Sequence, residues 1–338
     1  MRFRKKLAVS GIAIGVILGG ANGASRIGEH FWPTPNDEFV KERGLSHFAQ
    51  PTVSGRLESA LWGCVRNGGS RFHEGIDLKA LNKDRRGEAT DSIYAFDDGV
   101  VRYVNRSPGE SSYGRYIVVE HPQWMPGMVT LYAHLSAMPD RISAGVSVRG
   151  GETIATMGRS ASYTIPRERA HLHFEIGMWL GPQFQNWYDS QRFDTPNDHQ
   201  AYNGMNIVGT NVWALLQSLR SGETRSVVEY FAMERTAVLV TIWDNGIPDL
   251  LRVNSELMVN DILPADHAGW RIAFSASGLP LRFEAISASE RSGSKRVSVE
   301  IVDERLAKSD ACISMMQSRS GGTPSNRLSS LLNRLFTD

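Results

Sequence analysis

Between residues 53 and 178 short apolar stretches recur, separated by Gly, Asn and Pro: SIYAFDDGVVRYV, GRYIVVEHP, MVTLYAHLSAM and AHLHFEIGMWL. Stretches this short, with turn residues at Asp98-Gly99 and Pro126-Gly127, predict strands, and their density predicts an antiparallel β architecture. In AHLHFEIG the period is two. His171, His173 and Glu175 alternate with Leu172, Phe174 and Ile176, so one row of side chains enters a core and the other leaves it. The pattern changes after residue 205. Val212, Leu215, Leu216 and Leu219 recur at helical spacing behind Thr210 and stop before Gly222, which predicts one amphipathic helix within 205–224. Alternation returns in TAVLVTIW, GWRIAFSA, LRFEAISA and KRVSVEIV, with a turn at Asn245-Gly246, and predicts a smaller all-β, sandwich-like domain over 225–310. In the last segment, 311–338, SRSGGTPSN reads as a flexible linker. Leu328, Leu331, Leu332 and Leu335 then give the tail a short amphipathic stretch. Residues 25–50 show no clear period and read as a lead-in along the surface.

The chain has 338 residues, 41% of them hydrophobic, enough for two domains, which places the larger one at 25–204 with its core at 53–180. Basic and acidic residues number 37 and 36, for a formal net charge of +1, and are spread without a basic stripe, so nothing points to nucleic acid. The N-terminus departs from this even spread. Arg2, Arg4, Lys5 and Lys6 precede an apolar run from Leu7 to Gly20, and Ala21, Gly23 and Ala24 follow. That order predicts a secretory signal within residues 1–24, or else an uncleaved membrane anchor, although the run is shorter than the ~20 residues of a membrane span. Export would allow Cys64 and Cys312 to form a disulfide; two free thiols are the alternative.

The chemistry-bearing residues cluster in the first β-rich region. In RFHEGIDLKA, His73 and Asp77 are four apart, and on an extended strand such residues share a face. A helix would align them too, but Gly75 between them favours the extended or turned form. His171 and His173 point together from their strand, and Tyr132 and His134 occupy alternate positions of another in TLYAHLS. Zinc favours imidazole nitrogen and carboxylate oxygen, and catalytic zinc sites use three protein ligands with one position left for water. Two His and one carboxylate would leave a net positive centre able to acidify that water, while further imidazoles could move protons near neutral pH.

FHEGID, YAHLS and HLHFE, in this order, resemble the signature blocks of the lysostaphin/LytM-type zinc endopeptidases of peptidoglycan. AFDDGVVRYV, YGRYIVVEHP and VSVRGGETIATMG between them resemble the same family. The resemblance covers residues 73–177. It implies a mainly antiparallel β catalytic domain with an open groove over one zinc ion held by His73, Asp77 and His173. His134 and His171 match its two catalytic histidines, and its substrates are peptidoglycan peptides in the periplasm or outside the cell. Glu175, on the metal-facing side of its strand, is expected to orient a ligand. Several members of the family carry a Tyr shortly before the first zinc His. This chain has Arg66, Asn67, Ser70 and Arg71 there, which leaves Tyr132 or Tyr163 as the expected substitute. The run before HLHF is also longer and more charged than usual. Two alternatives stand beside the wall endopeptidase: a non-catalytic module that binds wall or activates another hydrolase, and a zinc peptidase acting on other peptides. No motif assigns a role or a protein partner to the C-terminal domain.

Overall fold

The computed structural model of the chain describes residues 23–260, 262–309, 311–316 and 322–336. The signal or anchor expected at 1–24 lies outside the described residues except for its last two positions, as does much of the expected linker. Among the described residues no helix is long and apolar enough to cross a membrane.

The fold is mainly β, and its strands pair antiparallel. A hairpin of β1 (Gly63–Arg66) and β2 (Arg71–His73) leads into β3 (Ile76–Lys79). The large sheet then takes β4 (Gly99–Asn105), β5 (Tyr116–Glu120), β6 (Met128–Ala133), β7 (His171–Trp179) and β8 (Ile207–Gly209) in spatial order, with Ser147–Val148 at the β4 edge. One edge of β7 pairs with β6. The other edge pairs first with β3 and then with β8. Gly75, at the turn into β3, is required by this pairing, because a Cβ there would lie 2.4 Å from the Phe174 carbonyl oxygen.

The two-residue period of β7 decides what lies on each face. Leu172, Phe174 and Ile176 enter the main core with Ile76 and Leu78. Burying one such side chain contributes roughly 1.5–3 kcal/mol. On the opposite face, beyond the polar row of β7, Val118, Val129, Leu131, Ala133 and Ile207 form a second buried cluster flanked by Tyr113, Trp179 and Tyr202. The segment after β7 supplies part of that cover. It contains α1 (Phe184–Gln191) and runs to β8.

The expected helix is α2 (Val212–Ser221), capped by the Asn211 side chain on the Ala214 N–H and ended by Gly222 in a left-handed conformation. Its buried residues are those of the apolar stripe together with Ser218. Beyond it, β9 (Val238–Ile242), β10 (His267–Phe274), β11 (Pro280–Ser287) and β12 (Val297–Ile301) form one four-stranded sheet in the order β11-β10-β9-β12. Asn245-Gly246 does not join adjacent strands by a tight hairpin; it opens the long connection from β9 to β10, which carries the short helix Asp249–Val253. The leucines of the tail form α3 (Asn326–Leu335), where Leu328, Leu331, Leu332 and Leu335 are buried. This helix packs back against α1, with the Arg334 guanidinium 5.4 Å from the Trp187 ring centroid.

The lead-in departs from the surface-hugging expectation. Trp32, Phe39 and Phe48 are buried in the main core, where their rings meet one another and Trp213. The Asn36 side chain bonds the carbonyls of His47 and Lys79, tying this segment to β3. Pro-rich composition hid that role because the aromatics recur without a helical or strand period. Cys64 and Cys312 form a disulfide, with Cα atoms 5.9 Å apart, and the turn Ala311–Ile313 rests on β1 and β2.

Candidate metal centre and its cavity

His73 ends β2, Asp77 lies in β3 and His173 lies in β7, directly opposite Asp77 in register. Their nearest donor atoms form a small triangle. His73 Nε2 lies 3.1 Å from His173 Nδ1, His73 Nε2 is 3.2 Å from Asp77 Oδ1, and His173 Nδ1 is 3.0 Å from the same oxygen. Tetrahedral zinc with ligands at 2.0–2.1 Å has edges of about 3.3 Å, so the three atoms match one face of that tetrahedron. The donor set fits zinc in chemistry as well as spacing.

Each ligand is held from behind. His73 Nδ1 donates to the Leu61 carbonyl at 2.8 Å, which leaves Nε2 for the metal. His173 Nε2 donates to Glu175 Oε1 at 2.7 Å, which leaves Nδ1. Glu175 Oε1 also accepts from the Tyr113 hydroxyl at 2.6 Å. On the carboxylate ligand, Arg66 Nη2 donates to Asp77 Oδ2 at 2.5 Å, leaving Oδ1 in the triangle. Partners of this kind fix the tautomer and direction of a ligand. Burial alone would raise the Asp77 carboxyl, but His73, His171 and His173 hold it well below the ordinary value, so it is ionised. Burial likewise disfavours a charged His173, yet its bonds to Asp77 and Glu175 lift it to about 9 without metal. A metal ion arriving at Nδ1 therefore displaces a proton.

Two more imidazoles stand beside the triangle. His134 and His171 have ring centroids 4.7 Å apart, and His171 Nε2 lies 3.6 Å from Asp77 Oδ1. His134 Nδ1 bonds the Ser160 carbonyl at 2.9 Å and His171 Nδ1 the Arg169 carbonyl at 2.8 Å, so each keeps Nε2 as an acceptor. Burial, with added repulsion from His171 and His173, holds His134 well below its usual pKa. Burial also lowers His171. Both are neutral bases near pH 7. His134 reaches this side by an unusual backbone: β6 ends at Ala133 and His134 has φ of 63°, a left-handed conformation uncommon for a side chain with a Cβ. Such outliers concentrate where function requires them.

The centre opens into a cavity of about 400 Å³. His134, His173, Arg66, Arg71 and Tyr163 line it near the triangle, the loop Glu110–Tyr113 lines a second side, and Tyr188, His199 and Asn203 line a third. Residues 71–185 match Peptidase family M23. The match covers about a third of the chain. Among solved structures, similar chains include a zinc-containing peptidase from Vibrio cholerae (30% identity over 31% of this chain and 26% of that one, TM-score 0.24). Others are the catalytic domain of lysostaphin from Staphylococcus simulans (17% identity, 47% and 88%, TM-score 0.30) and a glycyl-glycine endopeptidase from Ruminococcus gnavus (22%, 46% and 50%, TM-score 0.31). The chain thus spans about a quarter of the Vibrio cholerae protein's length. No curated protein matches it.

Within residues 71–185 the structure brings His73, Asp77, His173, His134, His171 and Glu175 together. Tyr132 is the exception. It pairs with Phe174 across β6 and β7 and shares that residue's core face. Its hydroxyl is buried against the Phe96 N–H and Thr130. The expectation that Tyr132 and His134 share a face fails because His134 leaves the strand geometry. Tyr163 does line the cavity. Its long loop is pinned from outside, where Arg159 and Arg167 both bond the Glu88 carboxylate. Arg66, Tyr113 and His199 were not legible as site residues, because each comes from a segment with no motif of its own.

Proposed function

We propose that the protein is an exported zinc endopeptidase that hydrolyses peptide cross-links or stem peptides of bacterial peptidoglycan. The observation that carries the reading is the 3.0–3.2 Å triangle of His73, Asp77 and His173 donor atoms with two neutral imidazoles beside it, inside an M23 segment. His73 Nε2, Asp77 Oδ1 and His173 Nδ1 would hold the ion. When bound, zinc would polarise the scissile carbonyl and acidify a water molecule.

The remaining work falls to the chain itself. His134 and His171 present unprotonated Nε2 atoms, so between them they take the proton of the attacking water and return one to the departing amine. Their Nδ1–H bonds to carbonyls keep both rings aimed while the proton moves. Tyr163, an exposed residue of the cavity wall, would donate to the tetrahedral oxyanion. Residues 25–204 are read as the catalytic unit and 225–310 as a second unit whose shared core with the first braces the site. Zymograms of purified wall with and without a chelator test the reading. Clearing that requires zinc and disappears in His134→Ala supports it; clearing that survives His134→Ala refutes it.

A further inference from the structure

The third side of the cavity lies beyond the family match, which ends at residue 185, and is built by the segment from α1 to β8. Three features show a formed wall. Gly204 sits flush on the ring of Tyr113, where a Cβ would come within 2.4 Å of a ring carbon. The Asn203 side chain, itself buried, is held at both ends, donating to Asn197 Oδ1 at 3.1 Å and accepting from the Met205 N–H at 3.0 Å. Behind the wall, α1 is braced by α3.

His199 is the chemically informative member. It is 6% exposed and lines the cavity. Its Nδ1 lies 3.2 Å from the Tyr103 hydroxyl, which also lies 3.2 Å from the Asp198 carbonyl. A carbonyl can only accept, so in the tautomer that satisfies both contacts the hydroxyl proton goes to Asp198 and His199 Nδ1 donates to the hydroxyl oxygen. Nε2 is then a lone-pair acceptor that bonds no protein atom among the described residues, on a ring that lines the cavity. The Tyr188 hydroxyl on the same wall gives its proton to the Thr195 carbonyl at 3.0 Å and likewise offers only acceptor capacity. Glu110 lines the neighbouring loop, and after burial its charge is the next largest influence raising the Tyr103 phenol. This end of the cavity therefore accepts hydrogen bonds and carries negative charge.

We propose that the wall of residues 184–206, with His199 at its centre, is a specificity subsite for a substrate residue bearing an amine or another nitrogen donor close to the scissile peptide bond. The inference rests on the hydrolase reading above and names what that site selects. Placing an ammonium against His199 Nε2 and Glu110 gives that acceptor a partner, and losing such a charge-assisted bond costs about tenfold or more in affinity.

The test uses zinc-loaded full-length protein and cross-linked peptides from purified peptidoglycan, half of the preparation with its free amines acetylated. Wild type is expected to cleave the untreated peptides with kcat/KM at least tenfold higher, chiefly through KM. His199→Leu should bring that ratio below threefold with zinc content unchanged. His199→Gln, which keeps an acceptor oxygen, should retain most of the preference. Equal cleavage of the two preparations by wild type, or a preference unchanged in His199→Leu, overturns the subsite. Calorimetric binding of the same preparations reads the subsite without turnover. Amine-dependent affinity lost in His199→Leu supports it even where nothing is cut, in which case the hydrolase reading alone fails; equal affinities overturn it.

Discussion

Glu175→Gln isolates the bond that aims His173 at the metal. The carboxylate accepts from His173 Nε2 at 2.7 Å and from the Tyr113 hydroxyl at 2.6 Å. Gln has the same shape, so the substitution changes charge and hydrogen-bond capacity rather than packing. Its amide oxygen can still accept both bonds, which fall on one carboxylate oxygen, but the negative charge opposite the imidazole is gone and an N–H2 donor group replaces the second oxygen. Losing one charge-assisted bond costs about 1.5–3 kcal/mol, and changes in ligand-orienting partners typically weaken metal binding ten- to a hundredfold. Tyr113→Phe removes only the outer bond and should weaken binding several-fold. Competition for zinc against a chromogenic chelator gives both constants, and thermal melting of the metal-free proteins checks that each variant folds. A zinc Kd for Glu175→Gln within twofold of wild type, or a larger loss in Tyr113→Phe, would refute the reasoning.

Arg66→Met should lower zinc affinity at least tenfold, because it frees the Asp77 oxygen that Arg66 holds at 2.5 Å and so loosens the aim of the carboxylate; the same competition assay measures it, and unchanged binding would remove Arg66 from the site. The Cys64–Cys312 disulfide closes a loop of sequence separation 248. Replacing both with Ser should cost about 2–4 kcal/mol and lower the melting temperature, with no shift expected if the bridge is idle. His121 is buried between the Asp98 carbonyl and Thr130, and burial lowers its pKa from 6.5 to about 4. The unfolded chain therefore takes up this proton first as pH falls. Stability from this group is complete above about pH 6.5 and declines by about 3 kcal/mol by pH 4. Urea titrations across that window should show the decline reduced in His121→Gln.

Strand period exposed the centre of the site in the sequence. AHLHFEIG alternates with period two, and the structure turns that alternation into a core row and a polar row carrying His171, His173 and Glu175. Asp77 follows from antiparallel register, because β3 places it opposite His173. Two things escaped. Backbone departures are not written in hydropathy, so the left-handed turn at His134 could not be foreseen, and Tyr132 was expected on the wrong face. Long-range partners are equally silent. Arg66 reaches Asp77 from a strand hairpin, Tyr113 reaches Glu175 from a loop, and His199 arrives on a segment beyond the family match. The aromatics of the lead-in were missed for a related reason, since Trp32, Phe39 and Phe48 enter the core one at a time from irregular chain.

The central claim is tested most directly by mass spectrometry of the soluble products when purified peptidoglycan is incubated with protein carrying one equivalent of zinc, with metal-stripped protein, and with zinc-loaded His134→Ala. The account predicts peptides with a newly exposed amino terminus from the zinc-loaded wild type alone. Products cut in the glycan strand, or the same peptides released by all three proteins, would contradict it.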